Sequence, residues 1–376
     1  MNKLENELEG ITVVSLEQAV AAPYCGVLLA NSGARVIKVE RKEGDFARGY
    51  DDGAEGQSTI FAWLNRGKES ICLNLKDEKD LSVLINIIKK SDVLLSNLAP
   101  GALGRISLTN SFLKKINPKL INCKITGYGE EGDAAKKKAY DFLVQAESGL
   151  CSVTGSEESP SRVGVSITDI STGLTAFSAI LRALIKRSNS NKGSEISISM
   201  FDVIADWMNM PLLAHRYSGQ APKRMGLKHS FIAPYGAYEC SGGKKILLSI
   251  QSNREFEQFC NKVLEKPELA KEKKFLNNPE RFKNRVELDN IINDFFKNFD
   301  VSKIIELLDL ANIANANLNS VADLSEHPFL KNSKARIGNK FISMASLPVE
   351  TGLTDNINVP DIGEHTDKIR KEFSFS

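Results

Sequence analysis

The chain has 376 residues, 42% hydrophobic and 26% charged, a globular composition with enough length for a large domain and a smaller one rather than a single core or a disordered chain. Lys and Arg number 49 against 47 Asp and Glu, with the two signs interspersed, so no global field draws the chain to nucleic acid or an anionic membrane, and any anion is bound locally. The charged start MNKLENELEG lacks a hydrophobic leader region and no apolar run nears the roughly 18 residues that span a bilayer, so a cytoplasmic location is expected. Residues 11–16, ITVVSL, form a β-branched run; Pro23 then opens a helix through about Ser32, and RVIKVE at 35–40 returns as a second strand. The alternation continues with SICLNL at 70–75, a helix over 77–90, DVLLSN at 92–97, a helical stretch near 110–116 and LINCKITG at 120–127. Continuous apolar strands of this kind predict an open, mostly parallel, Rossmann-like sheet covered by helices.

A helix is expected over 140–149, and a longer one starts at Asp169 and ends before SNSNKG. EISISM at 195–200 reads as one more strand, followed by a helix over 201–219. Segment 220–236, QAPKRMGLKHSFIAPYG, is rich in Pro and Gly and is the predicted linker. Beyond it, a hairpin around Ser241-Gly242-Gly243 and amphipathic helices over 253–312 predict a smaller α+β domain. The expected organisation is therefore a large α/β domain over 1–219 completed by 341–376, the linker 220–236, and a small domain with its return linker over 237–340.

Cys25, Cys72, Cys123, Cys151, Cys240 and Cys260 are widely separated and contain no C-x-x-C pair, so they read as buried thiols in a reducing compartment. His215, His229, His327 and His365 lack ligand spacing, and no metal is expected. Glu40 closes the second strand where a ribose-binding acid would sit, yet the first turn, QAVAAPYCG, lacks the glycines that let a backbone approach pyrophosphate. Walker and G-x-S-x-G patterns are missing as well.

Asp169 follows VGVSIT and heads a small-residue helix, DISTG. At a helix N-terminus it reads either as an N-cap or as a carboxylate kept ionised there, able to attack an acyl carbon beside backbone donors that steady the oxyanion. Tyr140-Asp141 precede an apolar helix, and Lys136, Lys137 and Lys138 before them read as a solvated run or as phosphate contacts. Arg41, Arg48 and Arg105 lie near loops that follow strands, where open parallel sheets bind ligands.

Taken together, LEGITVVSLEQAVAAPYCGVLLANSGARVIKVERKEGDFARG, NRGKESICLNL, SNLAPGALGR, KAYDFLVQAESGLCSVTG, DISTGLTAFSAILRAL, MGLKHSFIAPYGAYEC and DIGEHTDKIR resemble the family III (CaiB/BaiF-type) CoA-transferases over nearly the whole chain. The resemblance implies an interlocked homodimer, a nucleophile at Asp169, and coenzyme A or acyl-CoA as substrate with no permanently bound cofactor. It implies CoA contacts at Val20, Ala21, Arg41, Leu73, Asn74, Leu75, Asn97, Leu98, Ala99, Arg105, Lys138, Ala139 and Tyr140. The chain looks most like the members acting on small dicarboxylates such as mesaconate, itaconate, citramalate and succinate. In the implied chemistry Asp169 attacks a donor thioester such as succinyl-CoA, an aspartyl anhydride forms, the acceptor carboxylate replaces the donor acyl group, and CoA returns to make the new thioester. A lid should exclude water from the anhydride, and Ser241-Gly242-Gly243 is the candidate.

Arg224, His229 and Tyr235 are candidate contacts for the second carboxylate of the substrate, the alternative being that Arg224 and His229 pin the linker. Three rival functions share the fold: CoA transfer between two carboxylates of one mesaconyl-CoA-like molecule, an α-methylacyl-CoA racemase, and a silent CoA-binding protein. Racemases that resemble this chain carry a His-Asp pair where Tyr140-Asp141 stand here, and proton transfer at the carbon next to the thioester needs that pair.

Overall fold

In the computed structural model, which describes residues 4–349 and 357–373, the alternating runs of the first half of the chain wind into one sheet. The order is β1 (Thr12–Leu16), α1 (Ala21–Asn31), β2 (Arg35–Glu40), α2 (Thr59–Asn65), β3 (Glu69–Cys72), α3 (Glu78–Lys90), β4 (Val93–Ser96), α4 (Ala102–Arg105), α5 (Asn110–Ile116), β5 (Ile121–Thr126), α6 (Asp141–Glu147), α7 (Leu150–Val153), α8 (Ile167–Ser190), β6 (Ser194–Ser199) and α9 (Met200–Trp207). The six strands lie β3-β2-β1-β4-β5-β6, and every neighbouring pair is parallel. Strand order reverses between β1 and β4, which opens a crevice beyond their carboxyl ends.

Period-two alternation sends each strand's apolar residues to both faces. Val13, Val36, Leu95 and Cys123 pack under α1 and α8 with Leu29 and Ile180, whereas Val14, Ile37 and Leu94 pack under α3 with Leu84 and Ile87. On β2 the same alternation aims Lys38 at the first of these faces, where it is fully buried.

The chain forms two compact units. The first runs to Leu150, takes in Arg162–Met210 and resumes at Lys331; the second comprises Cys151–Ser161 and Pro211–Leu330. These limits differ from the expected breaks at 219 and 341. Where one helix is expected over 201–219 there are two, α9 and Asn209–Ser218, because Pro211 fits only the first turn of a helix, where its missing N–H is not needed. Residues 332–340, assigned by composition to the small domain, belong to the first unit. They begin an antiparallel hairpin, Asn332–Ile337 with Lys340–Ala345, joined in parallel by Ile357–Asn358. Ala335, Ile337 and Val359 there bury Phe61 and Ala62 of α2.

The DIGEHTDKIR segment closes the open edge of the large sheet. His365 N–H donates to Ser70 O at 2.9 Å, Ser70 N–H to His365 Nδ1 at 3.2 Å and Cys72 N–H to Thr366 Oγ1 at 3.0 Å, so β3 offers no free edge here to another chain. A Cβ at Gly363 would stand 2.9 Å from Cys72 Sγ, which is why a glycine begins this strap.

In the second unit Tyr235–Glu239 and Lys245–Ser249 form the expected hairpin, with Gly242 and Gly243 left-handed in its turn, and Ala314–Asn317 adds an unexpected third strand. Helices Asn253–Lys262, Arg285–Phe296 and Val301–Leu310 cover it through Phe259, Phe296 and Leu308. The six cysteines are free thiols, but only Cys25, Cys123, Cys240 and Cys260 are buried; Cys72 and Cys151 are half-buried. Among the described residues, no helix is long and apolar enough to cross a membrane.

Candidate active site

The crevice at the strand-order reversal holds two adjoining cavities. One, of about 560 Å³, is lined by Val20, Ala21, Asn97, Leu98, Ala99, Lys138, Ala139, Tyr140 and Asp169 together with Phe46, Tyr50 and Phe142. The other, of about 660 Å³, shares Gln18 and Leu98 with it and is lined by Arg41, Leu73, Asn74 and Leu75. Thirteen of the fourteen positions singled out for catalysis or CoA thus converge on one crevice. Arg105 does not line either cavity; it is exposed at the end of α4, whose Ala102 lines the second.

Asp169 is the third residue of α8, not its first, and it does not cap the helix. The cap comes from another element: Asp141 Oδ1, at the start of α6, accepts the Thr168 N–H at 2.8 Å and the Asp169 N–H at 3.3 Å. Asp141 Oδ2 accepts from Gln145 Nε2 at 2.7 Å, and Gln145 Oε1 accepts from Val163 N–H. The two remaining N-terminal amides of α8, Ile167 and Ile170, donate to Val165 O and Ser166 O. The Ile167, Thr168 and Asp169 amides at this helix end are therefore all occupied.

Among the described residues no hydrogen-bond donor reaches the half-buried Asp169 carboxylate, and it faces a second carboxylate, Asp141. Burial first, and then the Asp141 charge, push its pKa from 3.8 up to about 7. The expected stabilisation of the anion by the helix end is therefore outweighed. An acid held this high favours folding while protonated: that contribution is complete below about 3.8 and is lost as pH rises through about 7. Asp169→Asn is expected to leave stability nearly unchanged at pH 4 and to raise it by about 2–4 kcal/mol at pH 8. Denaturant titrations of both proteins across that range check this; equal differences at the two ends would contradict it.

Helix α1 begins directly opposite. A Cβ at Gly173, one turn beyond Asp169, would lie 2.5 Å from Ala21 O and 3.0 Å from Tyr24 Cβ, so the glycine of DISTG lets the first turns of α1 and α8 touch. Thr172 before it is buried and returns its hydroxyl to Thr168 O. Pro23 removes one of the donors at the α1 N-terminus, and among the described residues no acceptor takes the Val20 or Ala21 N–H. Val20 and Ala21 both line the cavity that holds Asp169. Gly173→Ala is expected to cost about 1–3 kcal/mol by forcing Ala21 away, measurable by denaturant titration; an unchanged midpoint would contradict this close approach.

Two side chains hold the turn before α1. Asn97 accepts the Gln18 N–H at 2.9 Å and donates to Gln18 O at 2.8 Å, so it braces the backbone of this turn while lining the cavity. Asp45 Oδ1 accepts the N–H of Ala19, whose φ of 60° is left-handed, at 3.2 Å. Composition and spacing do not single out Asp45, because its partners Ala19 and Lys38 lie in the turn after β1 and on β2.

The cations divide into paired and unpaired. Arg48 grips Glu40 through two hydrogen bonds and stacks on Phe61, and Ser70 Oγ also donates to Glu40, so neither Arg48 nor Glu40 is available to a ligand. Lys137 pairs with Glu147. Arg41, Arg105 and Lys138 have no carboxylate partner among the described residues, which is the state suited to binding phosphate. Exposed Phe46, Tyr50, Tyr140 and Phe142 supply apolar surface around the mouth.

The sequence pattern of CoA-transferase family III matches residues 8–366. The chain belongs to CoA-transferase family III. It is 31% identical to the acetyl-CoA:oxalate CoA-transferase of Acetobacter aceti over 99% of this chain and 97% of that one. The succinyl-CoA:glutarate CoA-transferase of Mus musculus is 31% identical over 97% and 86%, and the succinyl-CoA:mesaconate CoA-transferase of Haloarcula hispanica 28% over 86% and 83%. The crystal structure of a CAIB/BAIF family protein from Brucella suis superposes with a TM-score of 0.84, at 31% identity, over 99% of this chain and 100% of that one. This family III CoA-transferase therefore has homologues at about 30% identity that are named for dicarboxylate acceptors.

The three residues suggested for a second carboxylate lie in the second unit of the CoA-transferase. Arg224 donates to the carbonyls of Ser156, Ser152 and Glu157. His229 stacks on Tyr235 with ring centroids 5.1 Å apart and accepts from Phe231 N–H, while Arg285 holds the carbonyls of both His229 and Tyr235. These contacts fit the pinning of the 220–236 segment. Ser241–Gly243 is the turn of the hairpin in that same unit.

Proposed function

We propose that the protein transfers CoA from an acyl-CoA donor, succinyl-CoA or a close analogue, to a small dicarboxylic acid, with Asp169 as the nucleophile. The observation that carries this reading is the Asp169 carboxylate, which no donor among the described residues engages, in a cavity also lined by Val20 and Ala21, whose N–H groups have no acceptor among the described residues. Asp169 Oδ attacks the thioester carbon, the C–S bond breaks, and CoA leaves as thiolate from a mixed anhydride. The thiolate adds to the aspartyl carbon and frees the donor acid, leaving an aspartyl-CoA thioester. The acceptor carboxylate displaces the thiolate again to form the second anhydride, and the thiolate takes the acceptor acyl group as Asp169 is regenerated. In each addition the Val20 and Ala21 amides would stabilise the oxyanion.

Arg41, Arg105 and Lys138 would hold the CoA phosphates. Leu73, Leu75, Leu98, Ala99, Ala139 and Tyr140 would pack its adenosine and pantetheine, and the Asn74 turn, closed by Asp80, would support that wall. Lys136, Lys138 and Arg162 give the cavity the positive lining that a dicarboxylate requires. Tyr140 in place of a histidine leaves half of a racemase acid–base pair missing, which favours transfer over racemisation.

Two copies are proposed to assemble as an interlocked homodimer, for which Leu174 and Ile185, exposed on the outer side of α8, offer apolar surface. Free thiols fit a reducing compartment, and the cytoplasm is the proposed location.

The test is incubation with succinyl-CoA and separately with oxalate, glutarate, mesaconate, itaconate and citramalate, with mass spectrometry of the CoA esters. A new ester with one acid supports the reading and names the acceptor. Deuterium entering next to the thioester without exchange would replace it with the racemase, and CoA binding with neither reaction would leave a silent binder.

A further inference from the structure

We propose that Asp45 is a positioning residue for CoA exchange, which through one carboxylate oxygen sets the left-handed turn at Ala19 and with it the aim of the Val20 and Ala21 amides. The inference rests on the transferase reading above and deepens it.

Ala19 has no glycine's freedom at a φ of 60°, so the turn that leads into α1 persists only if outside contacts impose it. Asn97 brackets the preceding peptide, at Gln18, and Asp45 takes the N–H of Ala19 itself. The same oxygen accepts the Ala47 N–H at 3.0 Å and so caps the Phe46–Gly49 turn. Phe46 and Tyr50 line the Asp169 cavity together with Val20 and Ala21. One atom therefore ties the donor turn to the facing aromatic wall.

The position of that atom is fixed from behind. Asp45 Oδ2 accepts from Lys38 Nζ at 2.9 Å, and the wholly buried Lys38 reaches Glu17, whose carboxylate is shared with buried Lys68. Glu17, Lys38, Asp45 and Lys68 carry charges that sum to zero. A rival explanation follows from this: Asp45 would serve only to neutralise Lys38, and the amide contacts would be incidental.

Two double variants separate these explanations. Lys38→Gln with Asp45→Asn replaces the ion pair by a neutral hydrogen-bonded pair and keeps an oxygen for Ala19 and Ala47, whereas Lys38→Gln with Asp45→Ala removes that oxygen. Glu17 and Lys68 balance each other in both. The Asn variant is expected to keep kcat for succinyl-CoA exchange within about threefold of the unsubstituted enzyme. The Ala variant is expected to lose at least about tenfold in kcat, with KM for the acyl-CoA and Kd for free CoA changed less than about threefold. Equal kcat in the two doubles would overturn the inference, as would a loss in the Ala variant that falls on KM alone.

Amide hydrogen exchange on the unsubstituted enzyme reads the same clamp should a variant fail to fold. The Ala19 N–H is expected to exchange as slowly as those of β1, and exchange at the rate of an open loop would overturn the proposal. An unsubstituted enzyme that transfers no CoA to any acceptor would strike the transferase reading, not the clamp at Ala19.

Discussion

Replacing Asp169 with alanine is expected to lower CoA exchange by at least about a thousandfold while leaving the affinity for free CoA within about threefold. The proposed route passes entirely through covalent bonds to this carboxylate. Among the described residues that line the cavity, the other carboxylate, Asp141, is held by two amides of α8 and by Gln145. The groups proposed to hold CoA, among them Arg41, Arg105 and Lys138, are untouched by the change. Titration calorimetry with CoA and mass spectrometry of the product esters separate the two effects. Exchange within tenfold of the unsubstituted enzyme would contradict the nucleophile assignment, whereas parallel loss of CoA affinity would point to a collapsed site.

The largest loss of stability is expected from Lys68→Met. Lys68 Nζ is completely buried and serves Glu17 Oε1, the Pro23 carbonyl at 3.0 Å and Asn65 Oδ1 at 3.1 Å, joining the turn after β1 to α1 and α2. Burial lowers the Lys68 pKa to about 8, and the Glu17 charge opposes that fall. On Glu17, burial works against ionisation, yet Lys68 and Lys38 together hold its pKa below the ordinary value. Without Lys68 the cluster retains Glu17, Lys38 and Asp45, one negative charge in excess and out of water, at a cost of about 3–5 kcal/mol. Glu17→Gln in the same chain removes the excess charge and is expected to restore more than half of the loss. Denaturant titration of the single and double variants measures both, and a single-variant loss under about 1 kcal/mol would contradict the role assigned to this cluster. Gly26 belongs to the same construction, because a Cβ there would come within 2.9 Å of both Glu17 Oε2 and Lys68 Nζ.

The parts of this molecule that were legible in its sequence are those encoded over short distances. β-branched runs at 11–16 and 35–40 and the Asp77 cap produce strands and helices close to their predicted limits, because local spacing determines which face is apolar. Asp169 stood out through its motif, and thirteen of fourteen predicted positions line one crevice because turns after parallel strands gather at the same sheet edge.

What was missed depends on long-range partners. The cap of α8 comes from Asp141, 28 residues before Asp169, and no periodicity shows that it takes the donors at this helix end. Helix-end logic alone predicts an ionised Asp169, whereas burial and a like charge determine its state. Asn97 lines the cavity as its sequence position suggests, but its bracing of the Gln18 peptide is invisible in sequence. Asp45 is silent in the sequence for the same reason. The hairpin over 332–345 was hidden because one of its faces is exposed and largely polar and the partner that buries the other, α2, lies far earlier in the chain.

The central claim is that Asp169 exchanges its own oxygen at every turnover. Each cycle regenerates the aspartate with an oxygen taken from the acceptor, so 18O-labelled glutarate, or the best acceptor of the panel, should transfer label to the protein during turnover with succinyl-CoA. Trypsin cleavage after Arg162 and Arg182 releases VGVSITDISTGLTAFSAILR, in which Asp169 is the one acidic side chain. Mass spectrometry of this peptide is expected to show 18O on Asp169 only when donor and labelled acceptor are both present, with the label then passing into released succinate. CoA exchange that proceeds with an unlabelled Asp169 would contradict the covalent route.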